Sequence, residues 1–273
     1  MSGLHAGGAG CEERRRAVHL AHNRGFDTVR IMHYSSGDAA CGQREPLMKL
    51  VAASDSSMLV LFADENAPGT QAKVLGLFHA LQARHDPRIR NLHPGYVSLL
   101  VDFDPLVMTH EEVAVLVDSA ADAGFDRPPD AGNIVDIPVC YGGEFGPDLS
   151  DVAAHAHLSE DEVVRIHAGG DYQVAFLGFT AGFAYLSGMP EALSMPRLAT
   201  PRRAVAAGSV GIAGGQTGIY PTETPGGWRL IGRTPLRMFD PKAGQPTRVV
   251  PGDRVRFVCI NRAEYERLMQ ERG

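Results

Sequence analysis

The chain has 273 residues, 44% of them hydrophobic and 21% charged, the usage of a folded globular protein, and its length suggests two domains. A formal charge of −6, an isoelectric point near 6.0 and only 7% aromatic residues give neither the cationic cluster nor the stacking platforms of a nucleic-acid surface, so none is expected. No run approaches the ~20 apolar residues that span a bilayer; no membrane contact is expected, and Met1 to Gly10 lacks the apolar core of a secretion signal.

The first 47 residues read as an extension expected to stand apart from the domains, either mobile or upstream sequence included by a misassigned start. A short charged helix over Arg14–Arg24 is the only pattern there, and Ser35-Ser36-Gly37-Asp38 breaks it. Strand character begins at Leu47–Val51 and returns at Met58–Phe62. A helix from Pro68 to about Ala83 follows, with Val74, Leu77, Phe78 and Leu81 on one face. His93–Tyr96 reads as a turn before the strand Ser98–Phe103. Thr109-x-x-Glu112 is a capping box for a helix that presents Val113, Leu116 and Val117. Residues 48–130 therefore predict a small α+β domain, with helices on one face of an antiparallel sheet.

Residues 127–133, Arg-Pro-Pro-Asp-Ala-Gly-Asn, predict a linker, and a second domain is expected over 131–273. It opens with a strand at Ile134–Val139, then helices near 148–155 and 159–167, the second announced by Ser159-x-x-Glu162. From Tyr172 to Ile260 short strands punctuated by Gly and Pro predict a closed or nearly closed barrel, and Asn261-x-x-Glu264 caps a last helix. The four cysteines, Cys11, Cys41, Cys140 and Cys259, are too scattered for a metal or redox pair. The last two lie in apolar runs as buried thiols, and a reducing cytoplasm is expected.

Chemistry concentrates in residues 208–221, where five of the first eleven positions are Gly. Glycine permits positive φ and close approach of backbone amides to a ligand, with Gln216, Thr217 and Tyr220 as polar donors; barrel corners and bulges use glycine equally well. Gly227 to Thr234 has the spacing of a phosphate loop, but Trp228–Ile231 alternates like a strand and Pro235 disfavours a following helix. His155 and His157 diverge on a helix, so they share no metal. His167 ends a helix, where a protonated ring is favoured as a cap. Arg202, Arg203 and Arg233 suit a carboxylate or phosphate clamp, or simply a solubilising surface.

The runs Ile137–Leu149, Leu177-Gly178-Phe179-x-x-Gly182-Phe183-Ala184-Tyr185-Leu186, Pro201-Arg202-Arg203, Gly208–Pro221 and Pro225-Gly226-Gly227-Trp228-x-x-Ile231-Gly232-Arg233-Thr234-Pro235 together resemble the family of the 5-oxoprolinase B subunit. That family is also labelled allophanate hydrolase subunit 1, includes the inhibitor of the sporulation histidine kinase, and is related to carboxyltransferase subdomains C and D. The likeness covers about residues 48 to 260. Ser54-Asp55 stands for the usual Gly-Asp, and Ala181 for a usual Pro, which bears on the pocket's shape.

The resemblance implies a cyclophilin-like barrel after the α+β domain. It further implies part of a 5-oxoprolinase-type hydrolase, inactive alone and acting on a small-molecule amide or lactam. The implied partners are a homologous protein like the C subunit of 5-oxoprolinase and a protein like its A subunit. ATP is expected to be used by the complex rather than bound by this chain. His167, Arg202 and Gln216 are the implied catalytic residues, with His167 as proton carrier. Arg203, Gly214, Gly215, Thr217, Tyr220 and Arg233 are the implied substrate-binding residues, and no metal is expected. Two other parts remain open: a carboxyltransferase-related or allophanate hydrolase component, although no biotin-accepting Met-Lys-Met is present, and a histidine-kinase-inhibiting binding module.

Overall fold

The structure, a computed structural model, describes residues 29–32, 48–62, 69–122 and 132–271. The first sheet comprises β1 (Val29–Met32), β2 (Met48–Ser54), β3 (Ser57–Phe62), β4 (Ile89–Pro94) and β5 (Ser98–Phe103), in the order β1-β2-β3-β5-β4 and antiparallel throughout. Within the segment expected to stand apart, β1 therefore pairs along β2, Val29 opposite Val51; the remainder of that segment, including Arg14–Arg24, lies outside the described residues.

Alternation on β2, β3 and β5 turns Met48, Leu50, Met58, Val60, Phe62, Leu99, Val101 and Phe103 to one face. Helices α1 (Thr70–Gln82) and α2 (His110–Asp122) cover that face with Val74, Leu77, Phe78, Leu81, Val113 and Val117. The α1 helix follows Gly69, while Pro68 lies outside the described residues. The α2 capping box forms reciprocally: Glu112 N donates to Thr109 Oγ1 at 3.3 Å, and Thr109 N to Glu112 Oε2 at 2.8 Å.

The second core lies in the barrel. Strands β6 (Ile134–Tyr141), β7 (Tyr172–Leu177), β8 (Ala184–Ser187), β10 (Ser209–Ala213), β11 (Gln216–Ile219), β13 (Arg229–Arg233) and β14 (Arg254–Cys259) close in the order β10-β11-β8-β7-β14-β6-β13. Only β6 and β14 run parallel among them. Ile137, Val139, Val174, Leu186, Val210, Ile212, Ile219, Ile231, Val255 and Phe257 fill the interior. Helices α3 (Leu149–Ala156) and α4 (Glu160–Ala168) add Leu149, Val152 and Val163 to the same core. Strands β9 (Arg202–Val205) and β12 (Thr224–Gly226) form a separate ribbon, and α5 (Arg262–Glu271) ends the described chain. Of the residues read as a linker only Gly132 and Asn133 are described.

The first sheet meets the barrel through a small aromatic and polar seam. Tyr96 stands edge-on to Phe176 at 4.9 Å, and Gln71 Nε2 lies 3.4 Å from both Gly95 O and Ala175 O. Among the described residues no helix is long and apolar enough to cross a membrane. Cys140 is buried as expected, but Cys259 is exposed, because it ends β14 where the strand leaves the core.

Candidate functional site

Residues expected to share one cavity occupy different faces of the barrel wall. His167, at the end of α4, is fully buried among Tyr141, Tyr172 and Phe257, with the Phe257 ring 4.6 Å away. Its Nε2 lies 3.0 Å from Thr217 Oγ1, and its Nδ1 lies 2.9 Å from the Tyr141 hydroxyl. Thr217 spends its own proton on Gly211 O at 3.0 Å, so it must accept from Nε2–H, and Tyr141 must then donate to Nδ1. Every member of this chain of hydrogen bonds is satisfied with the ring neutral. Burial pushes the His167 pKa down to about 3.

This corrects the expectation of a protonated helix cap. It also leaves the proton-carrier role without geometric support, since both nitrogens are engaged inside the core. His167 and Thr217 join α4 to the wall of the barrel.

The glycine-rich segment is a hairpin of that wall rather than an open loop. Ser209–Ala213 and Gln216–Ile219 pair as β10 and β11, Ile212 opposite Thr217. Gly218 faces outward, where an added Cβ would meet Ala184 O at 2.8 Å and the Phe183 ring at 3.0 Å. Its glycine therefore serves close packing, as barrel wall glycines do. Only Gly214 and Gly215, at the turn, are exposed, with half-buried Gln216 beside them. Gly214 takes φ +55 and bridges to Met195.

The remaining polar residues gather on the outer face. There Phe183, Ala213, Tyr220, Trp228 and Leu230 form a separate cluster with Val205 of the ribbon. Arg202 pairs with Gly226 across the ribbon, and its Nη2 reaches Asp148 Oδ1 at 2.7 Å. The other Asp148 oxygen accepts the Leu230 amide at 2.7 Å. Tyr220 is buried in the cluster, and burial raises its pKa against the opposing Trp228 amide and the nearby Arg197 and Arg202 charges. Arg203 is exposed. Arg233, on β13, stands 6.0 Å over the Phe145 ring.

Four buried polar atoms without partners lie on this side: Arg202 Nη1, Ser209 Oγ, Thr224 Oγ1 and Arg233 Nε. Such orphans are rare in folded proteins and call for a ligand, ion or water. Asp148 and Ser209 are thus central here, yet neither stood out in the sequence. Asp148 stood only at the start of an expected helix, and Ser209 was not singled out within residues 208–221. Strand parity was the available signal, since Val210 and Ile212 face inward and force Ser209 outward. Among the described residues no group of three His, Cys, Asp or Glu side chains is arranged to hold a metal.

Comparison with known proteins places this geometry in context. The family model for the carboxyltransferase domain, subdomain C and D, matches residues 48–249. The chain is 41% identical over 236 residues to the 5-oxoprolinase B subunit of Bacillus subtilis, covering 80% of this chain and 95% of that protein. It is 58% identical over 124 residues to the 5-oxoprolinase B subunit of Escherichia coli O157:H7, covering 45% of this chain and 57% of that protein. Among solved structures, TTHA0988 matches with a TM-score of 0.67 and 33% identity over 76% of this chain. The match spans 40% of the longer TTHA0988 chain.

Proposed function

The chain belongs to the carboxyltransferase domain family, subdomain C and D, and from that premise we propose that it serves as one component of an ATP-dependent, 5-oxoprolinase-type hydrolase that cleaves a cyclic amide C–N bond. The observation that carries this reading is 41% identity sustained along 95% of the Bacillus subtilis protein. In this reading the chain works with a homologous C-type partner and an A-type partner, takes a small amide or lactam, and is inactive alone.

The filled barrel supports dependence on a partner. With His167 and Thr217 sealed inside, the groups free to meet a substrate are those of the outer face and the hairpin turn. A second protein surface is then needed to close over them and exclude water. The phosphate-loop-like spacing of Gly227–Thr234 runs into strand β13 and feeds no helix, so it is no phosphate loop, and in this reading ATP is used by the complex rather than bound by this chain alone.

An unstrained lactam resists water. Transfer of the terminal phosphoryl group of ATP to the amide oxygen, with ADP leaving, makes the carbonyl carbon electrophilic. Water then adds there, the C–N bond breaks as the ring nitrogen takes a proton, and a second water hydrolyses the resulting acyl phosphate to the free carboxylate and phosphate. Arg202 and Arg203 are suited to neutralise the developing charge, and the Gly214 and Gly215 amides, with Gln216, to orient the amide. His167 and Thr217 hold the wall behind them.

The test is reconstitution with both partner proteins, following ADP and glutamate release from 5-oxoproline while single components are omitted. Omission of this chain should abolish turnover. Undiminished turnover without it, or inhibition of a histidine kinase as its sole effect, would sink the reading.

A further inference from the structure

We infer that Ser209 and Arg233 anchor an oxyanion-binding site on the outer face of the barrel, one that takes the carboxylate of a small ligand. The two residues are directly opposed across β10 and β13. Val210 and Ile212 point into the interior, and Ala213 joins the outer cluster, so Ser209 faces outward. Arg233 shares that face despite the inward Ile231, because the register shifts between Val210 and Gly211 and resets the alternation of β13. It lies opposite Cys140 and above Phe145. Tyr220 continues the row, its amide donating to Ser209 O at 2.9 Å.

Ser209 is 0% exposed and its Oγ has no partner; Arg233 Nε is equally sealed and equally unpartnered. A guanidinium only donates, in a fixed planar fork, so a buried Nε–H is satisfied by an acceptor and by nothing else. A hydroxyl beside it can add a second donor to the same acceptor. No carboxylate of the neighbouring fold supplies that acceptor. Asp148 is held by Arg202 and the Leu230 amide, Asp151 by Arg229 at 2.9 Å, and Glu144 by Arg262 at 2.7 Å. Arg233 makes no ion pair with these three among the described residues. Arg202 Nη1 and Thr224 Oγ1 extend the unmet demand along the same face. Two adjacent donors with one unneutralised positive charge call for an oxygen anion.

Naming the carboxylate of 5-oxoproline as that anion rests on the function proposed above; the oxyanion site itself does not. Calorimetric titration of the full chain, alone and in the reconstituted complex without ATP, separates the two. The probes are 5-oxoproline, its neutral analogue 2-pyrrolidinone, and inorganic phosphate. We expect 5-oxoproline to bind, 2-pyrrolidinone to bind at least about tenfold more weakly, and Ser209→Ala and Arg233→Gln each to cost about tenfold or more in affinity. Arg256→Gln, at the distant Asp136 pair, should bind as the parent does.

Binding of phosphate in place of 5-oxoproline, lost in the same two variants, would keep the oxyanion site and overturn its carboxylate assignment. No anion bound in either form, or binding untouched by both variants with their melting temperatures unchanged, would overturn the site. Lactam turnover that ignores both variants would remove this inference alone. Anion binding without turnover in the complex would remove only the hydrolase reading.

Discussion

Asp148 ties Arg202 to strand β13, taking Arg202 Nη2 on one carboxylate oxygen and the Leu230 amide on the other, each at 2.7 Å. The carboxylate is almost fully buried, whereas the arginine keeps part of its surface in water. Truncation is therefore costlier on the acid side. Asp148→Ala strands a buried guanidinium nitrogen and a buried amide together, and should lower stability by about 3 kcal/mol; Arg202→Gln should cost roughly 1.5–3 kcal/mol. Urea unfolding of the two variants against the parent gives both values, and equal losses below about 1 kcal/mol would mean the pair contributes little.

The neutral His167 makes stability depend on pH. An unfolded histidine titrates near its ordinary value of 6.5, whereas the folded ring resists the proton down to about 3. Between those values the unfolded chain binds the extra proton. The contribution of this site is thus complete above pH 6.5 and falls as the pH drops towards 3, by at most ~1.4 kcal/mol per unit. His167→Gln should unfold more easily at about pH 7.5, having lost its Tyr141 and Thr217 partners in part, yet should show a shallower decline between about pH 6.5 and 5. Denaturant midpoints at these pH values check the slope, and parallel pH profiles for parent and variant would contradict it.

Local grammar made the helices legible. Thr109 with Glu112 and Ser159 with Glu162 both form the capping boxes that their spacing announces. The closed barrel was legible as a run of short strands, but the pairing that closes it was not. The parallel pairing of Ile134–Val139 with Arg254–Cys259 joins segments far apart in the chain, and nothing local encodes it. The site was legible in residue types and misread in direction. Gln216 and Thr217 are neighbours on one strand and point to opposite faces, so they cannot serve one ligand. Applying the two-residue period to polar positions would have separated the inward Thr217 from the outward Tyr220 and Ser209.

The seam between the first sheet and the barrel holds a different kind of orphan. The Tyr96 hydroxyl is buried without a partner, and burial raises its pKa to about 12. Its ring packs edge-on against Phe176, a contact that a phenylalanine would keep. Tyr96→Phe should therefore stabilise the protein, by about 1 kcal/mol, because it removes an unmet polar group and retains the shape. A raised melting temperature is the expected reading, and a fall would reveal a water or ligand satisfying the hydroxyl.

Two glycines of the same hairpin should respond oppositely to one methyl group. At Gly218 the added Cβ meets Ala184 O at 2.8 Å and the Phe183 ring at 3.0 Å, in a wall where β8 and β11 are already hydrogen-bonded. Backbone must move, and Gly218→Ala should cost about 1–3 kcal/mol. At Gly215 the methyl meets nothing within 4 Å, so Gly215→Ala should fold as the parent does. That difference makes Gly215 the cleaner probe of the turn. If its amide orients the substrate under a docked partner, the alanine methyl projects into the partner-facing side, and turnover of the reconstituted complex should fall while the isolated chain's melting temperature stays unchanged. Full turnover in Gly215→Ala would move the reacting centre away from the hairpin turn and towards the arginines of the outer face.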